Sequence, residues 1–185
     1  PFLLDIFKVR SDTKNQYDLP FYFMGQVIQV DFEYDSPPSL SSLGEKNGYQ
    51  HLYVEGKGKP SSDHARLLWM DNGGFYSLTS VTNATDELLF TRIGANDPEF
   101  NLRRDAALMI RRKAGKETVF ASVIESHGSY SPVSEFAVNS HTNIAELRVV
   151  QDDKNYTVIS IEDVEGRIGM FILSNSDSSP LKQHQ

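Results

Sequence analysis

The sequence predicts an all-β fold, a large antiparallel two-layer β-sandwich, and three observations predict it. Short runs rich in β-branched and aromatic residues recur along the whole chain. Clusters of Gly, Asn, Asp, Ser and Pro separate them, and no stretch sustains the i, i+3, i+4, i+7 repeat of an amphipathic helix. About eleven such runs can be marked, enough for two sheets facing one another across a shared core. With 185 residues, 39% of them hydrophobic, the chain has the length of one domain and the apolar content to fill it.

The first run, Phe2 to Val9, opens on Phe2-Leu3-Leu4-Asp5-Ile6-Phe7. A start at Pro1 without Met, entering a strand pattern at once, reads as a piece of a longer polypeptide. Phe21 to Phe32 follows, and its second half alternates: Ile28, Val30 and Phe32 would face one side, Val27, Gln29 and Asp31 the other. Asp35 to Ser42 is a loose Pro/Ser loop. Gln50 to Glu55 is the next strand, and extended backbone through Asn47-Gly48-Tyr49-Gln50-His51-Leu52-Tyr53 would set Tyr49, His51 and Tyr53 on one face. Ala65 to Met70 and Phe75 to Val81 are joined by Asp71-Asn72-Gly73-Gly74, which supplies the positive φ of a tight hairpin turn.

Glu87 to Ile93 leads into the polar segment Gly94 to Arg104. Ala106 to Arg112 and Thr118 to Glu125 flank Lys113-Ala114-Gly115-Lys116, read as a short hairpin loop. Ala145 to Val150 and Tyr156 to Glu162 flank Gln151-Asp152-Asp153-Lys154-Asn155, read as another. Ile168 to Leu173 closes a sandwich domain spanning residues 1–173. Residues 174–185 form a polar tail with too little apolar surface to be ordered by packing.

A formal net charge of -7 and a pI near 5.2 exclude a typical nucleic-acid binder, which needs a basic stripe to neutralise phosphates. No apolar run approaches the roughly 18 residues that suggest a membrane span, so no membrane partner is expected. There is no cysteine, hence no disulfide framework and no thiolate metal site. The five histidines, His51, His64, His127, His141 and His184, are scattered without H-E-x-x-H or His-x-His spacing, so no metal ligand is assigned in this chain. G-x-S-x-G and phosphate-cradling Gly loops are also missing from the sequence.

The richest chemistry lies in Gly94-Ala95-Asn96-Asp97-Pro98-Glu99-Phe100-Asn101-Leu102-Arg103-Arg104. Its amides and carboxylates suit Asx turns, and Pro98 a corner, so an ordered structural loop explains much of it. The adjacent Arg103 and Arg104 suit bidentate recognition of a carboxylate, or an ion pair with Asp97, Glu99 or Asp105. Arg92, Arg103, Arg104, Arg111, Arg112 and Lys113 form the best local concentration of cations, either a meeting place for a polyanion or a solvated strand face. Downstream, Glu125-Ser126-His127-Gly128-Ser129-Tyr130-Ser131-Pro132-Val133-Ser134-Glu135 reads as a strand end followed by a Gly-containing loop. That loop presents His127, Tyr130 and Glu135, residue types able to exchange protons, though nothing in the sequence shows that they meet.

Taken together, these two segments, Asn47 to Tyr53, and the stretches Asp5-Ile6-Phe7-Lys8-Val9 and Gln16-Tyr17-Asp18-Leu19-Pro20-Phe21 resemble the C-terminal β-domain of heparinase-II/III-like polysaccharide lyases, most closely the oligoalginate lyases of polysaccharide lyase family 17. The resemblance runs to about Leu173. It implies a parent enzyme with an N-terminal (α/α) toroid and a C-terminal antiparallel β-sandwich, cleaving uronic-acid polysaccharide by β-elimination between them. The family's Tyr and Asn-His proton-transfer residues, its His-x-His and its His-Asn-Thr do not occur in these 185 residues. By the resemblance they lie upstream of Pro1, with the ligands of any structural metal. No catalytic residue and no cofactor is therefore assigned here. Substrate contacts are expected from Asn96, Arg103, Arg104, His127, Tyr130 and Glu135, with the loops carrying them on one edge of the sandwich. The implied partners are an acidic oligosaccharide such as alginate and the missing toroid, a homo-oligomer contact being compatible; the implied compartment is periplasmic or secreted in a bacterium. A heparinase-like lyase for a different sugar, or a non-catalytic carbohydrate-binding or structural sandwich, is the alternative.

Overall fold

A computed structural model of the chain describes residues 1–94, 102–113 and 115–176, apart from the side chains of Leu102 and Arg104. In chain order the strands are β1 (Phe2–Arg10), β2 (Gln16–Phe23), β3 (Gln26–Val30), β4 (Tyr34–Asp35), β5 (Leu52–Gly58), β6 (His64–Asp71), β7 (Gly74–Val81), β8 (Glu87–Gly94), β9 (Leu102–Lys113), β10 (Glu117–Ser131), β11 (Phe136–Val138), β12 (Ile144–Asp152), β13 (Tyr156–Asp163) and β14 (Ile168–Ser174). A 3-10 turn, Tyr49–His51, precedes β5. Among the described residues every strand pairing is antiparallel, as expected of an all-β sandwich.

A central sheet has the order β1-β10-β7-β6-β3, with β11 beside β10, and a second sheet has the order β2-β9-β8-β5-β4. Their facing rows make the main core, in which Phe23, Leu67, Leu78, Leu88, Phe90, Leu108, Ile110 and Phe120 are buried. A third sheet, β12-β13-β14, adds a layer to the two expected: Ile144, Leu147, Ile159 and Ile161 pack with Ala121 and Val123 of β10 on the opposite face of the central sheet. The centre of β10 is thus covered on both sides. That is why Val119 through Val123 show no alternation of buried and exposed residues.

Several turns fall where the residues demand them. Asn72 and Gly73, at φ 48° and 79°, make the β6–β7 hairpin. The run Phe21 to Phe32 breaks into two strands at Gly25, which has φ 98° and no room for a Cβ against the Met70 carbonyl. A bulge between Val27 and Gln29 then shifts the expected alternation, so that Val27 and Val30 pack on the core while Ile28 is 47% exposed. Tyr49 to His51 is the 3-10 turn and not a strand, because Asn47 and Gly48 turn the chain with φ 60° and 90°. The segment around Gly115 is no hairpin either: it carries the chain from β9 in the second sheet to β10 in the central one. The Pro/Ser loop is tied to β5 through Leu43 N to Leu52 O at 2.7 Å and Val54 N to Ser41 O at 3.0 Å. At the end of the described chain Asn175 still bonds to Asn155 and Asp153; residues 177–185 lie outside the description.

Register fixes which loops share an end of the sandwich. Phe23 sits opposite Ala106, Gln26 sits opposite Met70, and only Met24 and Gly25 connect them across the two sheets. The end holding Gly94 and Leu102 is therefore the end holding the β6–β7 turn and the β10–β11 turn, where Ser129 pairs with both Gly74 and Val138. At the other end, Arg112 is buried in a bidentate pair with Asp86, 2.7 Å at the shortest, and lies 4.3 Å over the Phe120 ring.

Candidate functional site

The expected substrate contacts are distributed as follows. Asn96 lies outside the described residues, with Asp97 and Glu99, and so does the side chain of Arg104. Arg103 is exposed and already on β9, because that strand starts at Leu102. His127 and Tyr130 belong to β10, which continues to Ser131 through a bulge between Ser126 and Gly128. They are not on a loop. Gly128 does not turn the chain; a Cβ there would strike the carbonyls of Val138 and Asn139, so glycine allows β11 to approach closely. Glu135 is exposed in the β10–β11 turn at φ 52°.

His127, Tyr130 and Glu135 thus share one hairpin, and Arg103 lies at the same end of the sandwich on the other sheet. His127 points inward: its Nδ1 donates to the Asn139 carbonyl at 2.7 Å, its ring stacks on Phe75 at 6.5 Å, and its Nε2 is buried without a hydrogen-bond partner. Glu125 is 5% exposed and accepts hydrogen bonds from Thr142, from Ser77 at 3.3 Å and from Asn143 at 3.4 Å. Both side chains anchor the segment leading to β12. Neither is presented to a ligand.

A second candidate surface is one the six residues do not include. On the outer face of the second sheet a cleft of about 460 Å³ is lined by Asp18, Tyr22, Asn47, Tyr49, His51 and Ile93 among others. The 3-10 turn props Tyr49 over β2 and β9. Its hydroxyl donates to Asp18 Oδ2 at 2.7 Å, and Arg111 grips the same carboxylate with Nε at 2.9 Å and Nη2 at 2.8 Å. Burial, and then the hydrogen bond to Asp18, push the Tyr49 phenol above its ordinary range, and the bond to Asp18 does the same for the Arg111 guanidinium. Tyr49 therefore stays protonated at neutral pH and its proton is committed to Asp18. The trio is a rigid wall, not a proton-transfer pair. Tyr22, 52% exposed, and His51 leave an aromatic and amide surface facing solvent, the kind on which a sugar can lie.

Arg111 also borders a wider groove of about 950 Å³ that the Pro/Ser loop lines together with Tyr34, Lys57 and Lys59. In sequence the signal for the cleft was the cluster Asn47 to Tyr53. Arg111 stood out only as one of the cation cluster, and it meets Asp18 at the cleft only through the long-range pairing of β2 with β9. Among the described residues no group of three or more His, Asp or Glu could hold a metal, and no helix is long and apolar enough to cross a membrane.

Fold and cleft define an antiparallel β-sandwich with an open, partly aromatic surface on its second sheet. No protein-family model matches the chain. It is 37% identical over 178 residues to an alginate lyase of Stenotrophomonas maltophilia, covering 95% of this chain and 24% of that protein. It is 32% identical over 168 residues to an exo-oligoalginate lyase of Saccharophagus degradans, covering 88% of this chain and 23% of that protein. The chain is thus a homologue of alginate lyases over one domain, and spans about a quarter of the length of these relatives.

Proposed function

We propose that the chain is the C-terminal β-sandwich domain of an exolytic oligoalginate lyase, and that it forms one wall of the cleft in which a missing toroid cleaves short oligouronates by β-elimination. The observation that carries this reading is the match to two alginate lyases across 95% and 88% of the chain. The geometry supports a wall more than a reaction centre. The Tyr49 hydroxyl is bonded to Asp18, the His127 ring is turned into the fold, and Arg103 and Glu135 remain exposed at the shared end of the sandwich. The test is to incubate the full-length protein with alginate oligomers and with heparan-type chains while following ultraviolet absorbance of the unsaturated uronate. Product from alginate is expected; none from alginate would overturn the assignment.

A second reading, a carbohydrate-binding module that works without the rest of the chain, is favoured by the solvent-facing Tyr22 and His51 of the cleft. Calorimetric titration of these 185 residues with oligouronates separates the two, and weak or no binding is expected of a cleft wall.

A further inference from the structure

β14 pairs with β13 on one side and with no described strand on the other. All seven of its residues are exposed, although it reads Ile168-Gly169-Met170-Phe171-Ile172-Leu173-Ser174. Ile168, Met170 and Ile172 are 62%, 64% and 68% exposed. Such a strand leaves apolar side chains in water at about 25 cal/mol per Å², and it offers a row of unpaired backbone groups. It also lacks the devices that protect natural edges, having no charge and no proline between Ile168 and Ser174.

A second apolar edge lies beside it. β1 ends the central sheet, and Phe2, Leu3 and Phe7 are 46%, 61% and 49% exposed. The rings of Phe2 and Phe171 meet edge to face at 6.2 Å, which joins the two edges into one flank. β1 also carries Asp5, Lys8 and Arg10, of which Lys8 is turned to Asp152 of the third sheet at 2.6 Å and Arg10 to Glu117 of β10 at 2.8 Å.

We propose that this flank is where further strands of the same polypeptide add, continuing the central sheet past β1 and the third sheet past β14. The inference rests on the reading that the chain is one domain of a longer lyase. One observation favours the same polypeptide over a second copy: the relatives carry about three quarters of their length outside the matched region.

Hydrogen exchange on the full-length protein tests this, read at the β14 amides that point away from β13. They should exchange at least about 100-fold more slowly than unstructured amides. Leu173→Cys, 39% exposed and on the face that β14 turns toward the central sheet, should resist maleimide under native conditions, while Val133→Cys, at a position 95% exposed, labels freely. Fast exchange at β14 in the folded protein, or free labelling at position 173, overturns the proposal. So does protection that vanishes on dilution to a monomer by light scattering, which assigns the flank to a second copy. Lyase activity is assayed separately: protection without activity sinks the functional reading and keeps this one, and activity without protection does the reverse.

Discussion

Asp86→Asn tests what holds the closed end of the sandwich. Asp86 is 0% and Arg112 3% exposed. The carboxylate takes Arg112 Nε at 3.0 Å and Nη2 at 2.7 Å, and it also accepts the Asn83 N–H at 3.0 Å. Arg112 further donates to the carbonyls of Val119 at 2.8 Å and Val81 at 3.2 Å. An amide keeps the shape of the carboxylate but turns an NH₂ toward the guanidinium and leaves a buried cation without its counter-charge. Breaking a buried pair from one side costs about 3–5 kcal/mol. For a domain of this size that is a fall in Tm of roughly 6–20 °C. Urea denaturation should show a lower midpoint with an unchanged slope. The double variant Asp86→Asn, Arg112→Met, which removes the stranded charge, should recover part of the loss. A cost below about 1 kcal/mol for Asp86→Asn, or a double variant less stable than the single, would refute the idea that the carboxylate acts chiefly by compensating the buried guanidinium charge.

Three further outcomes follow from the same geometry. On the proposed reading, Arg103→Ala in the full-length protein should lower kcat/KM on alginate oligomers about tenfold, roughly 1.4 kcal/mol of transition-state binding, with little change in urea midpoint because the side chain is exposed; unchanged kinetics would remove Arg103 from the substrate wall. Gly25→Ala should cost roughly 1–3 kcal/mol, since the position combines φ 98° with a blocked Cβ direction, and a neutral result by thermal melting would show that the β2–β3 crossing can relax. Acid should destabilise the fold from about pH 4.5 downward: the Arg10 hydrogen bond lowers the Glu117 carboxyl, the Tyr156 and Asn155 amides lower Asp153, and the Arg167 amide and side chain lower Asp163. Their folded pKa values lie below the unfolded ones, so the stability they confer is present above the unfolded values and is lost as pH falls through the folded ones. A midpoint flat from pH 5 to pH 3 contradicts it.

The fold class was legible because its signals are local. Strand periodicity, the Asn72-Gly73 turn and the Asp153 turn, where Oδ1 accepts from Asn155 N at 2.7 Å and Tyr156 N at 2.9 Å, all lie within a few residues. The third sheet was not legible, since Ile144 to Ile161 reads the same whether it completes one of two layers or adds another. Glycine misled where its role was spatial: Gly128 suggests a loop in sequence, yet it serves the close approach of β11 within a continuing strand. The cleft was half visible. Asn47 to Tyr53 stood out, but Asp18 enters it only because β2 pairs with β9 in a register that places it opposite Arg111.

That register also decides what the basic cluster can do. Arg111 and Arg112 are adjacent in sequence and point to opposite faces of β9, the first to Asp18 outside, the second to Asp86 in the core. Arg92 likewise meets Glu55 at 2.8 Å. Three of the six cations in that cluster, Arg92, Arg111 and Arg112, are thus engaged by carboxylates, the last two on opposite faces of one strand. On the proposed reading, exposed cations such as Arg103 at one end of the second sheet and Lys59 in the groove at the other are available to an acidic sugar. The six steps from Leu88 to Gly94 on β8 measure that span at about 20 Å, using a strand rise of about 3.3 Å. On that reading, two cations at such a spacing contact an oligomer together and a single uronate only one at a time, so the proposed wall would favour an oligomer through strand length.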